Sequence, residues 1–138
     1  MVSAPNADAG GVNNAGAAYV FKRNSSGVWV EDVKLIANDP QNNSVFGWSC
    51  SIDDNQVLIG CMWDDTQGFD AGAAYYFKET AGVWSQEQKF FPSDPNAIDN
   101  FGRSCGIWGK RLVVSSIYDD DAGDGSGSAY VFERVSGF

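Results

Sequence analysis

Apolar and polar residues alternate along this chain in short runs, and clusters of Gly, Asp, Asn and Ser break the runs apart. The stretch Phe46–Phe91 holds four of them. FGWSCSI (46–52) is followed by Asp54-Asn55, a pair that tolerates the positive φ of a tight hairpin turn. QVLIGCMW (56–63) sets Val57, Ile59 and Cys61 on one face and Leu58 and Met62 on the other. GAAYYFK (72–78) is apolar on both faces and too short for a helix. In VWSQEQKFF (83–91), strict alternation groups Trp84 and Phe90 with Gln86 and Gln88, and puts Ser85, Glu87 and Lys89 opposite. The pattern predicts three strands buried on both sides and a fourth half-solvated.

Most of the remaining chain is a partial copy of this unit. Phe101-Gly102 stands 55 residues after Phe46-Gly47, and the same interval separates Trp29 from Trp84, Asp39-Pro40 from Asp94-Pro95, and Cys50 from Cys105. Tyr19, Tyr75 and Tyr130 follow at 56 and 55, which puts the odd residue in a loop. A period in this range signals stacked or radial repeats that cannot bury their faces alone. Four antiparallel strands per period, of rising polarity, describe propeller blades with strands A to D counted outward from the axis. The expectation is an all-β single domain over 1–138, with blade units at about 1–38, 46–91 and 101–138. Strand A is missing from the first unit and strand D from the third, so the expected tally is three, four and three strands.

The FG-x-S segments Phe46–Ser49 and Phe101–Ser104, with Ser3-Ala4-Pro5 in the place of GAP, resemble the FG-GAP repeats of integrin α-subunit propellers. The GSAYVF and DDDAGDGSG segments are most similar to the bacterial branch of that family. The resemblance implies a propeller of binding or adhesion type, in a secreted or cell-surface setting, although no basic-then-apolar leader precedes Val2. Two positions depart from the family pattern. The GAP position reads Gly60-Cys61-Met62 and Ser115-Ser116-Ile117. The A–B hairpins, Asp53-Asp54-Asn55-Gln56 and Trp108-Gly109-Lys110-Arg111, are too short to wrap a six-to-eight-coordinate ion, so the integrin-type calcium loop is absent.

Composition narrows the function classes. A net charge of −9 argues against nucleic acid as a partner, and no run approaches the length of a membrane span. In such blades the B–C and D–A loops share one end of the ring. They carry Asp8, Asp39, Asp64, Asp65, Asp70, Asp94, Asp99, Asp119, Asp120, Asp121 and Asp124, which is 11 of the 18 acidic residues, and no Lys or Arg. The opposite turns carry Lys22, Arg23, Lys78, Lys110 and Arg111. Carboxylates beside Gly-rich backbone suit hard cations, which makes calcium the candidate ion. Asp119, Asp120, Asp121 and Asp124 are the first candidate ligands, and Asp64, Asp65 and Asp70 the second. The plainer reading is that these residues shape turns and confer solubility. Trp63, Phe69 and Tyr118 are candidate contacts for a carbohydrate or protein ligand; packing between blades is the alternative.

Catalysis finds little support. Without a single histidine, histidine triads and histidine-ligated zinc are excluded. The turns Ser26-Gly27-Val28-Trp29 and Ala81-Gly82-Val83-Trp84 resemble sialidase Asp-boxes but lack the defining Asp, which leaves glycoside hydrolysis a remote alternative. Three cysteines, an odd number, read as small core residues, although a Cys50–Cys61 bridge is geometrically conceivable. A propeller ring typically needs about four to eight blades. The expectation is therefore self-association, as a homodimer before a trimer, along apolar rows such as Ala17-Tyr19-Phe21 and Ser128-Tyr130-Phe132. A purely structural, self-assembling role is the alternative to ligand binding.

Overall fold

The computed structural model describes residues 1–134. Among these there are ten strands and no helix: β1 (Val2–Ala4), β2 (Ala17–Arg23), β3 (Trp29–Leu35), β4 (Ser49–Asp53), β5 (Gln56–Cys61), β6 (Ala73–Thr80), β7 (Val83–Phe90), β8 (Phe101–Trp108), β9 (Arg111–Ser116) and β10 (Ser128–Glu133). They form three antiparallel sheets, β1-β2-β3, β4-β5-β6-β7 and β8-β9-β10, so the strand tally is three, four and three. The hairpin at Asp54-Asn55 is the expected one: Asp53 pairs with Gln56, Cys50 faces Ile59, and Asp54 takes a φ of 50°.

Two apolar layers hold the blades together. The first joins Ala18, Val20 and Leu35 to Phe46, Ile59, Cys61, Tyr75 and Phe77; the second joins Leu58, Tyr76 and Phe90 to Phe101, Leu112 and Val114. The middle blade thus buries both faces, as the doubly apolar β5 and β6 predict. β4 does not follow the expectation of double burial. Among the described residues no strand lies beyond it at this edge of the sheet, and it is half-buried except at Ile52, which is exposed.

The FG pairs work as wedges. Phe46 and Phe101 are fully buried, each edge-on to the strand C aromatics of its own blade: Phe46 lies 5.2 Å from Tyr75, and Phe101 lies 5.6 Å from Tyr130. The backbone N–H of each donates to the preceding blade, to Ala15 and Ala71 respectively, both at 2.9 Å. The following glycine has to be glycine. Gly102 has a φ of 94°, and a Cβ there would lie 2.3 Å from the carbonyl oxygen of Ala73.

Two departures from strict alternation matter for the site. In β7 the partner of Phe77 is Gln86 and that of Tyr76 is Gln88, so Glu87 is the extra residue of a β-bulge. The bulge reverses the phase of the strand. Lys89 therefore lies on the same side as Trp84, not opposite it. Asp32 is the corresponding extra residue in β3.

The second departure concerns β10. Its Tyr130 and Phe132 pack on Phe101 and so face the middle blade, while Ala129, Val131 and Glu133 are exposed. The row Ser128-Tyr130-Phe132 is therefore not an outer face. Equivalent residues of successive blades face the same way, Tyr75 toward the first blade and Tyr130 toward the middle one, so Tyr19 and Tyr130 cannot both look outward.

Candidate functional site

The B–C and D–A loops meet at one end of the blades. Ile98 N–H donates to Phe69 O at 2.8 Å, Asn100 N–H to Asp70 O at 3.1 Å, and Tyr118 N–H to Asp99 O at 3.3 Å. The A–B and C–D turns meet at the other end, where Glu79 N–H donates to Asn55 O. Each B–C loop is closed by one carboxylate. Asp65 accepts from Asp70 N–H at 2.8 Å, Asp120 from Gly125 N–H at 2.6 Å, and Asp8 from Asn14 N–H at 2.9 Å. These three aspartates are occupied in shaping their loops.

The residue before each closing aspartate behaves differently. Asp64 is 0% exposed and Asp119 is 1% exposed, while Ala7 stands in that place in the first unit. In the second unit Asp64 accepts from the Tyr75 hydroxyl and from Lys89 Nζ, both at 2.8 Å. The same ammonium donates to Asp39 and to the Thr66 hydroxyl, both at 2.7 Å, and lies over the Tyr75 ring. A buried carboxylate is thus matched by a lysine that the β7 bulge turns toward it.

The third unit repeats the carboxylates without the lysine. Tyr130 OH donates to Asp119 at 2.6 Å and to Asp94 at 2.7 Å, and Asp121 replaces Thr66. Carboxylate oxygens of Asp94, Asp119 and Asp121 all lie within 4.8 Å of one another. Among the described residues no lysine or arginine pairs with them. Their protonation reflects the crowding. Asp94 and Asp119 sit below the usual carboxylate range, chiefly because Tyr130 donates to each. Asp121 is held above it, first by its hydrogen bond with Asp94 and then by the charge of Asp119.

The FG-GAP repeat family model matches residues 29–77 and 84–132, two stretches of 49 residues that together take in 98 of the 138. Each match runs from strand D of one blade through strand C of the next. The chain belongs to the FG-GAP repeat family. Comparison with curated proteins gives no significant match. In this FG-GAP chain each matched stretch holds its own lysine, loop aspartates and tyrosine: Lys34, Asp39, Asp64 and Tyr75, then Lys89, Asp94, Asp119 and Tyr130. The lysine serves the stretch before it, since Lys89 reaches Asp39 and Asp64.

Of the candidate metal ligands, the fold brings Asp119 and Asp121 together with Asp94, which had not been singled out as a ligand. Asp120 is engaged in its own loop and Asp124 lies exposed outside the group. Asp64 meets Lys89, while Asp65 and Asp70 bond each other through the loop. Trp63 is partly exposed and its ring lies 6.1 Å from that of Trp48; Phe69 and Tyr118 are exposed on the same loop end. Tyr75, Lys89 and Tyr130 looked like core or surface residues in the sequence. The available signals were the tyrosines repeated at 19, 75 and 130, the aspartates at 39 and 94, and the lysine repeated at 34 and 89. The three thiols are free; Cys61 is buried and donates to Ser44 O, and burial lifts its thiol well above the ordinary range.

Proposed function

We propose that this chain is a non-catalytic, binding or adhesion-type propeller module whose acidic loop end receives a cationic ligand group. Asp94, Asp119 and Asp121 converge within 4.8 Å with no basic partner among the described residues, and that observation carries the reading. Calcium is the simplest candidate, because oxygens at about 2.3–2.6 Å from one ion would lie at such separations. Trp63, Phe69 and Tyr118 would contact the remainder of a carbohydrate or protein ligand. Burial opposes glycoside hydrolysis: Asp119 is 1% exposed, and a general acid must reach the bond it protonates.

The test is a calcium titration followed by melting temperature, since a ligand that prefers the folded state raises it. Asp94→Asn should remove the shift. A melting temperature indifferent to calcium in the unmodified protein counts against a calcium site. A second reading is self-assembly into a homodimer. It is favoured by β10, which among the described residues pairs only with β9 and leaves Val131 71% exposed.

A further inference from the structure

A tryptophan that packs between blades is seen at Trp84, whose indole N–H donates to Asp32 of the first blade at 2.9 Å. Trp48 and Trp63 are placed differently. They stand at the loop end of the middle blade, Trp48 just before β4 and Trp63 just after β5. Their rings lie 6.1 Å apart at an interplanar angle of 34°. The Arg103 guanidinium, from β8 of the third blade, lies 4.8 Å from the centre of the Trp48 ring. The three side chains thus form one row, Trp63, Trp48, Arg103. Both flanking strands, β4 and β8, are present, so the row belongs to the middle of the chain.

The donors of this row are unspent. Among the described residues neither indole N–H has a protein acceptor, and the Arg103 side chain makes no hydrogen bond or ion pair. The guanidinium is held by the Trp48 ring, a cation–π contact that leaves its N–H groups free at the edge. The 55-residue repeat relates Trp48 to Arg103 and Trp63 to Tyr118, which is 52% exposed, whereas the first unit has Asn6 in the place of Trp63.

Aromatic faces beside unpaired donors suit a sugar. The C–H face of a pyranose packs on an indole, its oxygens accept from N–H groups, and its hydroxyls donate to carboxylates nearby. A purely apolar partner would leave the indole and guanidinium donors without acceptors. Charge then selects among sugars. The loops of this end carry 11 aspartates, so a uronate, sulfate or phosphate would meet like charge in spite of Arg103. We propose that Trp48, Trp63 and Arg103 form a binding site for a neutral oligosaccharide of β-linked, equatorially substituted pyranoses. Equatorial substitution leaves only C–H bonds on the ring faces, the flat apolar surface that an indole covers. This ligand class rests on the binding-module reading above and makes no use of the acid cluster at Asp94, Asp119 and Asp121.

The probe is cellohexaose, added to the 138-residue protein and followed by tryptophan fluorescence and calorimetry. Saturable binding with a fluorescence change is expected. Trp63→Ala should weaken it about tenfold or more, as loss of an aromatic anchor does. Arg103→Ala, at an exposed position, should weaken it about fivefold through lost hydrogen bonds, and serves alone if Trp63→Ala fails to fold. Trp29→Ala, 67% exposed and outside the row, should bind like the unmodified protein. A β-1,4-linked glucuronate hexamer should bind more weakly than cellohexaose; tighter binding would mean that Arg103 reads a carboxylate and would overturn the neutral-sugar assignment. No binding of cellohexaose, or binding that both Trp63→Ala and Arg103→Ala leave intact, overturns the site. A calcium-dependent rise in melting temperature without sugar binding refutes this site alone. Absence of both sugar and calcium effects removes the binding-module reading with it.

Discussion

Replacing Lys89 with methionine tests whether the ammonium balances the buried carboxylate beneath it. Methionine keeps most of the aliphatic stem and removes the charge. Asp64 is then left with no counter-charge at 0% exposure, although it keeps the Tyr75 hydroxyl and the backbone N–H of Thr66 at 3.0 Å. Removing one partner of a buried ion pair costs about 3–5 kcal/mol. The surviving hydrogen bonds and the partly solvated Asp39 put this case near the lower end, about 3 kcal/mol. For a domain of this size that is a fall of roughly 10 °C in melting temperature. The assay is urea and thermal unfolding of Lys89→Met, Asp64→Asn and the double variant. A neutral Asn beneath a neutral Met no longer strands a charge, so the double variant should recover about 1.5 kcal/mol or more relative to the sum of the singles. A loss below about 0.5 kcal/mol for Lys89→Met, with no coupling in the cycle, would refute the pairing argument.

Gly102→Ala should cost about 3 kcal/mol or prevent folding, because its Cβ would lie 2.3 Å from the Ala73 carbonyl, whereas Gly109→Ala, with open space around it, should cost about 1 kcal/mol; denaturant midpoints decide. Asp121→Asn should raise the melting temperature near neutral pH and leave it unchanged at strongly acid pH. The folded-state pKa of Asp121 is raised, so its penalty grows as pH rises through that value and vanishes once the group is protonated in both states. A fall at neutral pH would contradict the crowding argument. On the self-assembly reading, light scattering behind size exclusion should report a homodimer at micromolar concentration; a stable monomer would rule out self-assembly through the β10 edge.

The strand inventory was legible because each strand carries its own period and each turn its own chemistry. Asp54 and the Gly-rich loops bound runs too short for helices, and the 55-residue spacing carried one unit's reading to the others. The side that a residue faces was legible only until the first bulge. Nothing in VWSQEQKFF marks Glu87 as an inserted residue, so simple alternation sent Lys89 to the wrong side of its strand. The buried carboxylates were hidden for a different reason. Asp64-Asp65 and Asp119-Asp120 look like solvated loop pairs, yet the first of each is enclosed by a tyrosine hydroxyl from strand C, a contact spanning 11 residues that no local pattern announces. The direction in which Tyr130 and Phe132 face required the rotational relation between blades, which comes from three-dimensional packing.

The three units differ in charge balance at one position of the fold, and the difference runs in a consistent direction. In the first unit Ala7 stands where the buried carboxylate would be, and Lys34 lies 5.8 Å from the centre of the Tyr19 ring. The second unit carries Asp64 and Asp39 and has Lys89 between them. The third adds a further carboxylate, since Asp121 takes the place of Thr66, and among the described residues no cation answers it. A site tuned only for stability would not stack a third acid onto an unbalanced pair, because each like charge raises the cost of the folded state. Asp121 sits on the exposed side of the cluster and is the carboxylate held above its ordinary range. A cation arriving at that loop end would gain from all three acids at once and relieve their mutual repulsion. The middle blade shows the form such a cation takes when the chain supplies it, an ammonium 2.7–2.8 Å from two carboxylates and a hydroxyl.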